Sequence, residues 1–238
     1  MSSADAEGAR FASQRLLPGL GPEGQELLRE ARVHGVGAGA AAGPALLQLS
    51  QAGVGTIYVD DGADVDGARD GDAASWLYSP GQVGQPRIFA AIEALRAASS
   101  FVQVRAFATD AEPTATLVCA QREPVARIAA DRARRAGLPH VVALGNGDGG
   151  TVVTIPSGAP CFRCAFQPGA TLPPRPGAAA ALGSLAAVEL LLVVARLFPG
   201  SGTGRRIDLA EGWPSVQPTV RTLGCDITNR ANVPRRRR

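Results

Sequence analysis

The chain has 238 residues, of which 45% are hydrophobic and 19% charged, so it can bury the core of one large domain or two small ones. Its formal net charge is +3, and it becomes −1 once the four arginines at 235–238 are set aside. These values exclude a collagen-like or wholly disordered chain and give the body of the protein no basic surface for a nucleic acid.

Both ends of the chain are predicted to be disordered, with one domain between them. Residues 1–9 are polar and no apolar stretch follows that would mark a secretory signal, so we expect a cytoplasmic protein. Residues 227–238 contain the arginine run and are predicted to form a basic, solvated tail. The domain is expected to cover residues 10–226.

The predicted elements alternate in type along this domain. A turn rich in proline and glycine leads into a short helix that starts at 21–23. The next elements are a strand at 32–36, a helix at 44–52, a strand at 56–59, a long loop at 61–84, a helix at 85–98, strands at 101–106 and 115–120, a helix at 124–136 and a strand at 141–144. Strands that alternate with helices predict a parallel sheet with helices on both faces. A strand at 151–155 begins a region that we expect to be antiparallel.

Residues 178–198 are apolar enough to be considered as a membrane-spanning segment. Glu189 lies inside this segment and Arg196 lies near its end, while much of the remainder is alanine. A spanning helix needs about 20 consecutive apolar residues with few or no charges. We therefore predict a helix that is buried in the core or at a subunit interface, and no contact with a membrane.

A glycine-rich turn follows the first strand and predicts a nucleotide-binding site. Residues 37–42 read GAGAAA, a GxGxxA pattern in which Gly37, Gly39, Ala40 and Ala42 would form the phosphate turn. The following helix would favour an anion at its N-terminus. Asp60 ends the second strand at the spacing of a ribose-binding acid. The alternative is a tight strand–helix turn that has lost its ligand.

The cysteines predict a metal or redox site. Cys161 and Cys164 form a CxxC pair, and Cys225 lies near the C-terminus. Tetrahedral zinc needs four ligands, so these three thiolates would need Asp226 or a water as the fourth. The alternative is a set of free or redox-labile thiols. Cys119 lies on a predicted strand and is expected to be buried, like His34 and His140, which we interpret as packing residues.

Several segments in order resemble the ThiF/MoeB/HesA family, relatives of the ubiquitin-activating enzymes. They are QRLLPGLGPEGQELLREARV, GVGAGAAAG, QAGVGTIYVDD, VGQPR, LPHV, PCFRC and ALGSLAAVELL. The resemblance covers nearly the whole chain. It implies a Rossmann-like, mainly parallel α/β sheet that continues into antiparallel strands. It also implies a homodimer that binds ATP with magnesium, adenylates the C-terminal carboxylate of a small ubiquitin-like sulfur carrier or peptide, and often holds zinc through two CxxC pairs.

The resemblance also implies roles for single residues. Gly37 and Gly39 would face the phosphates, and Asp60 or Asp61 would hold the ribose. Arg87 stands where the family has a phosphate-binding lysine, and the charge is kept. Arg15 lies close to the position of a family arginine that reaches the phosphates, a position at which this chain has Ser13.

Three family positions are altered, and they leave two functions open. They are Ser13, residues 71–75 in place of an Asn/Arg motif, and Gln121 in place of a magnesium-binding aspartate; Arg15, Arg69 and Glu123 are the nearby substitutes. Thr228 likewise replaces the fourth cysteine. The first hypothesis is an ATP-dependent adenylyltransferase. The second is a degenerate member that binds a nucleotide or a partner within an assembly. A third, an NAD-dependent oxidoreductase, lacks an evident catalytic base.

Overall fold

A single eight-stranded sheet organises the fold. The computed structural model describes residues 3–67, 76–120, 122–166, 172–199, 202–210, 213–222 and 225. Its strands are β1 (Arg32–Val36), β2 (Thr56–Asp60), β3 (Gln103–Ala106), β4 (Ala115–Cys119), β5 (His140–Asn146), β6 (Gly149–Ile155), β7 (Arg205–Ala210) and β8 (Trp213–Pro218). They lie in the order β3-β2-β1-β4-β5-β6-β7-β8. Pairing is parallel from β3 to β5 and antiparallel from β5 to β8, which confirms the predicted fold class.

Helices cover both faces of this sheet. They are α1 (Ser3–Arg10), α2 (Ala12–Arg15), α3 (Gly21–Glu30), α4 (Ala42–Gln51), α5 (Arg87–Ala98), α6 (Glu123–Arg135), α7 (Phe162–Ala165) and α8 (Pro176–Val194). The larger core joins α4, α5 and α8 to one face of the sheet, and the smaller core joins α6 and α7 to the other. The proline at position 44 lies in the first turn of α4, where its missing N–H group is not needed.

The connection from β3 to β4 is unusually short. Parallel strands are usually joined by a dozen or more residues that include a helix. Here residues 107–114 alone carry the chain past β2 and β1. The first of them, Phe107, stacks on His34 of β1 with ring centroids 3.8 Å apart. A single aromatic side chain therefore covers part of the sheet face beside the carboxyl ends of β1 and β2.

The N-terminus differs from the prediction. Helix α1 covers Ser3–Arg10, where the sequence predicts disorder over residues 1–9. The reason is an apolar anchor at Phe11, which is 1% exposed and packs edge-to-face on Phe101. The amide of Phe11 donates to the carbonyl of Glu7 and joins the anchor to the helix. The predicted tail at 227–238 lies outside the described residues.

Helix α8 is the one described helix with the length and apolar composition of a membrane span. It packs against α4 and against β4, β5 and β6. Its Glu189 is 3% exposed and forms an ion pair with Arg205 of β7. These contacts are those of a helix packed on a sheet, as predicted from the charged residue inside the segment.

Candidate nucleotide site

A cavity of about 560 Å³ opens at the carboxyl ends of β1, β2 and β4. Ligands of open α/β sheets bind at this edge, next to the point where the strand order reverses. Five of the predicted site residues line the cavity, namely Gly37, Gly39, Asp60, Asp61 and Arg87. Residues from the start of α6 and from the end of β4 complete the wall. The cavity thus joins segments that are far apart in the sequence.

The turn after β1 contains unpaired backbone amides. Gly39 lines the cavity, whereas Ala40 and Ala41 are not part of its wall. Gly37 has a φ of +94°, and a Cβ there would lie 2.4 Å from the carbonyl oxygen of Cys119, so only glycine fits. Within the described part of the chain, the amides of Gly39, Ala40 and Ala41 have no hydrogen-bond acceptor. They precede the first turn of α4, where partial positive charge favours an anion.

The two adjacent acids at the end of β2 have different tasks. Asp61 is nearly buried, and its two oxygens accept hydrogen bonds from the amides of Ala38 at 2.7 Å and Ala63 at 2.8 Å. It therefore shapes the glycine turn and takes one amide away from a phosphate. Asp60 is about half exposed, and its Oδ2 lies 3.0 Å from Nε2 of His34. Asp60 is thus the better candidate for a ribose.

The electrostatic environment of Asp60 keeps it ionised. The hydrogen bond from His34, helped by the positive charge of Arg132, holds the pKa of Asp60 below its ordinary value, although partial burial opposes this shift. Cys119, as predicted, is buried under the turn, and burial raises the pKa of its thiol to about 12.

Three arginines line the cavity. Arg87 is 6% exposed and begins α5, and its Nη1 lies 3.9 Å from Oδ2 of Asp61. Arg122 and Arg132, from the start and the body of α6, were not predicted from the sequence. Arg122 could have been predicted from its position just after β4, because the carboxyl ends of parallel strands meet at one edge of the sheet. Tyr78 was also missed; its hydroxyl donates to the carbonyl of Ala38 and holds the turn.

The remaining predicted residues lie elsewhere. Arg15 is exposed and is not part of the cavity wall. Ala42 is buried and donates its amide to the carbonyl of Gly39, so it packs rather than faces the cavity. Glu123 pairs with Arg127 at 3.8 Å. Arg69, residues 71–75, Gln121, Asp226 and Thr228 lie outside the described residues.

The three predicted metal ligands form a separate cluster. Sγ of Cys161 lies 3.6 Å from Sγ of Cys164 and 3.3 Å from Sγ of Cys225, although Cys225 is 64 residues away in the chain. Sulfur atoms about 3.8 Å apart are what tetrahedral zinc with Zn–S bonds of about 2.3 Å requires. Burial, and the hydrogen bond with Cys225, raise the pKa of Cys161 to about 12, a shift that a bound cation would reverse.

Comparison with sequence families and curated relatives identifies the same group as the motifs. A sequence model of the ThiF family matches residues 11–205. A sulfur carrier protein adenylyltransferase of Thermus thermophilus is 32% identical over 216 residues, covering 78% of this chain and 77% of the relative. The adenylyltransferase and sulfurtransferase uba4 of Aspergillus fumigatus is 33% identical over 176 residues. That match covers 66% of this chain and 35% of uba4, so the chain spans about a third of that relative's length.

Two further comparisons agree. The adenylyltransferase and sulfurtransferase MOCS3 of Bos taurus is 30% identical over 223 residues, which are 82% of this chain and 47% of MOCS3. Among solved structures, Escherichia coli MccB with ATP superposes with a TM-score of 0.72 over 87% of this chain and 68% of MccB. At 17% identity, this likeness shows a common fold and nothing about the reaction.

Proposed function

Because the chain belongs to the ThiF family, we propose that it is an ATP-dependent adenylyltransferase that activates a carboxylate of a small carrier protein or peptide. The observation that carries the proposal is one cavity in which Gly39, whose backbone amide is unpaired among the described residues, meets Arg87 and Asp60. The names of the Thermus thermophilus and Bos taurus relatives support adenylyl transfer, the former to a sulfur carrier. A structure of MccB with N-formylated MccA is consistent with a peptide acceptor.

Each group has a task when a carboxylate oxygen attacks the α-phosphorus and the bond to pyrophosphate breaks. The amides of Gly39, Ala40 and Ala41 would bind phosphate oxygens. Arg87 and Arg122, which both line the cavity, would neutralise the charge that grows on the leaving pyrophosphate. Magnesium bound to the phosphates would add to this neutralisation. The described wall offers such an ion no carboxylate besides Asp60 and Asp61.

The test is ATP–pyrophosphate exchange with a sulfur-carrier protein whose chain ends in glycine. Removal of one charge-stabilising group typically costs about 10²-fold or more in rate, so we expect such a loss for Arg87→Ala. Arg87→Lys keeps the charge and should retain part of the activity. Arg135→Ala is the matched control, because Arg135 is exposed on α6 and outside the cavity wall. Equal rates for Arg87→Ala and Arg135→Ala would refute the assigned role.

A second candidate is a nucleotide-binding module without chemistry. Two observations favour it: Asp61 occupies the amide of Ala38, and Glu123 pairs with Arg127 instead of lining the cavity. This candidate predicts a rise in the unfolding temperature with ATP but no exchange with any carrier. A ligand at 100 times its dissociation constant stabilises a protein by about 2.7 kcal/mol, so binding is measurable without turnover.

For the cysteine cluster we infer a zinc ion held by Cys161, Cys164 and Cys225, which leaves a fourth position for a ligand outside the described residues. Zinc would tie the segment around Cys225 to α7. Inductively coupled plasma mass spectrometry of the dialysed protein should find one zinc ion per chain. Cys225→Ser should lower this value, whereas Cys119→Ser, which changes a cysteine buried elsewhere, should not. If Cys225→Ser still contains one zinc ion per chain, Cys225 is not a zinc ligand.

We also propose that the protein is a homodimer through α8. Less than half of the apolar window of this helix is buried within one chain, at 39%.

A further inference from the structure

His34 is a buried polar side chain that lines the nucleotide cavity although it comes from a core strand. Its side chain is 7% exposed and lies two residues before the end of β1. A buried polar group destabilises the fold unless it makes its hydrogen bonds, and here Nε2 pairs with Oδ2 of Asp60. An apolar residue would fill this strand position without that requirement, so the histidine needs an explanation other than packing.

The neighbours of His34 hold its ring in one orientation. The ring stacks on Phe107 at a centroid distance of 3.8 Å and an interplanar angle of 14°. The guanidinium of Arg132 lies 5.1 Å from the centroid of the same Phe107 ring. Phe107 belongs to the short connection that lies on the sheet. The ring that contacts Asp60 is therefore held by a second aromatic ring, which in turn contacts a cation.

This arrangement gives the two oxygens of Asp60 different surroundings. His34 occupies Oδ2, while Oδ1 receives no hydrogen bond from the described part of the chain. The carboxylate lines the cavity and is about half exposed. Because His34 holds Oδ2, the orientation of Oδ1 is also fixed, and Oδ1 can accept a hydrogen bond from a ligand hydroxyl.

We propose that His34 is a positioning residue that fixes Asp60 so that Oδ1 accepts a hydroxyl of the ribose of the bound nucleotide. The inference rests on the proposed function, because it requires a nucleotide in the cavity. In this role His34 acts through Asp60. Its loss should therefore weaken recognition of one hydroxyl and spare recognition of the phosphates and the base.

The experiment measures dissociation constants for ATP, 2′-deoxy-ATP and 3′-deoxy-ATP by calorimetry. In the wild-type protein, the analogue that lacks the accepted hydroxyl should bind about three- to tenfold more weakly than ATP, the effect of one hydrogen bond. His34→Leu should abolish this preference and leave the affinity for that analogue unchanged. The double variant His34→Leu/Asp60→Asn should bind ATP no more weakly than Asp60→Asn alone.

Two polar substitutions carry the same test if leucine unfolds the strand. The amide nitrogen of His34→Gln reaches the place of Nε2 and should keep the ribose preference. His34→Asn is one methylene shorter, does not reach Asp60 and should lose it. His140→Leu is the matched control, since His140 is the other histidine of the chain and lies outside the cavity wall; it should keep the preference in full.

Three results would overturn the inference. One is an equal loss of affinity for ATP and both deoxy analogues, which would indicate a packing defect. Another is a loss in the double variant that adds to the loss in Asp60→Asn, which would show that His34 acts independently. Absence of ATP binding by the wild-type protein would instead refute the proposed function, and this inference with it.

Discussion

One ring nitrogen of His140 is buried without a hydrogen-bond partner among the described residues. Nδ1 lies 3.0 Å from the carbonyl oxygen of Leu138, whereas Nε2 is buried without a hydrogen bond from the described residues. The ring is 1% exposed, and this burial lowers the pKa of His140 to about 4. The folded protein therefore keeps the ring neutral at a pH where the unfolded chain binds a proton.

This difference predicts acid sensitivity of the fold. Between pH 6.5 and about 4 the unfolded state binds more protons, so the free energy of unfolding falls as the pH falls. At pH 5 the loss from this one group should be about 2 kcal/mol relative to pH 7. His140→Leu should remove that part of the pH dependence. Urea unfolding of the wild type and His140→Leu at pH 5 and pH 7 measures this effect. If the free energy of unfolding changes equally between the two pH values in both proteins, the prediction is wrong.

Helix α8 owes its attachment to the sheet partly to a buried polar cluster. Oε2 of Glu189 accepts hydrogen bonds from the hydroxyl of Thr154 at 2.6 Å and from Nε of Arg205 at 3.0 Å. Oε1 accepts a third from Nη2 of Arg205 at 2.5 Å. One side chain of α8 is thus tied to both β6 and β7, which fixes the depth and rotation of a mostly apolar helix.

Breaking this cluster should be costly, whereas replacing it should not. Glu189→Ala leaves a buried hydroxyl and a partly buried guanidinium without their acceptor, and we expect a loss of about 3 kcal/mol in the free energy of unfolding. The triple variant Glu189→Leu/Thr154→Val/Arg205→Met removes all partners together and should lie within about 1 kcal/mol of the wild type. Chemical unfolding measures both. A triple variant as unstable as Glu189→Ala would show that the apolar side chains do not repack.

The elements that the sequence predicted well are those with a strong local signal. Strand 32–36 has the predicted bounds and the helix at 21 the predicted start, because the glycine-rich turn after the strand and the Gly-Pro-Glu start are signals between neighbours in the chain. Helix α7 and strands β7 and β8 were not predicted. α7 has four residues, too few for a periodic pattern, and β8 carries two prolines, which read as strand breakers.

The candidate site could be predicted only in part, for a similar reason. The glycine turn and the acids after β2 lie close together in the sequence, so their spacing indicates the site. The sequence could not distinguish Asp60 from Asp61, since their tasks depend on which backbone amides lie nearby in the folded chain. Tertiary packing brings Arg132 to the cavity and Tyr78 to the glycine turn, and a single sequence carries no pattern for either contact.

At the scale of the whole molecule, helix α8 leaves part of its apolar surface exposed in the described chain. Val188 is 47% exposed, and it forms one stripe along α8 with Ala181, Leu185 and Leu192, which are exposed or partly exposed. The opposite side of the helix packs on the sheet. Exposed apolar surface of this kind often marks an interface, and a two-fold axis would place the same stripe of a second copy against it.

The proposed dimer predicts the effect of a charge in this stripe. At a two-fold interface Val188→Asp buries two unpaired carboxylates, each costing several kcal/mol, so the dimer dissociation constant should rise by about 100-fold or more. Light scattering after size exclusion should find a dimer for the wild type and a monomer for Val188→Asp. Val220→Asp, at a valine that is 71% exposed beyond β8, is the matched control and should remain dimeric. A monomeric wild type at micromolar concentration, or a dimeric Val188→Asp, would rule out α8 as the contact.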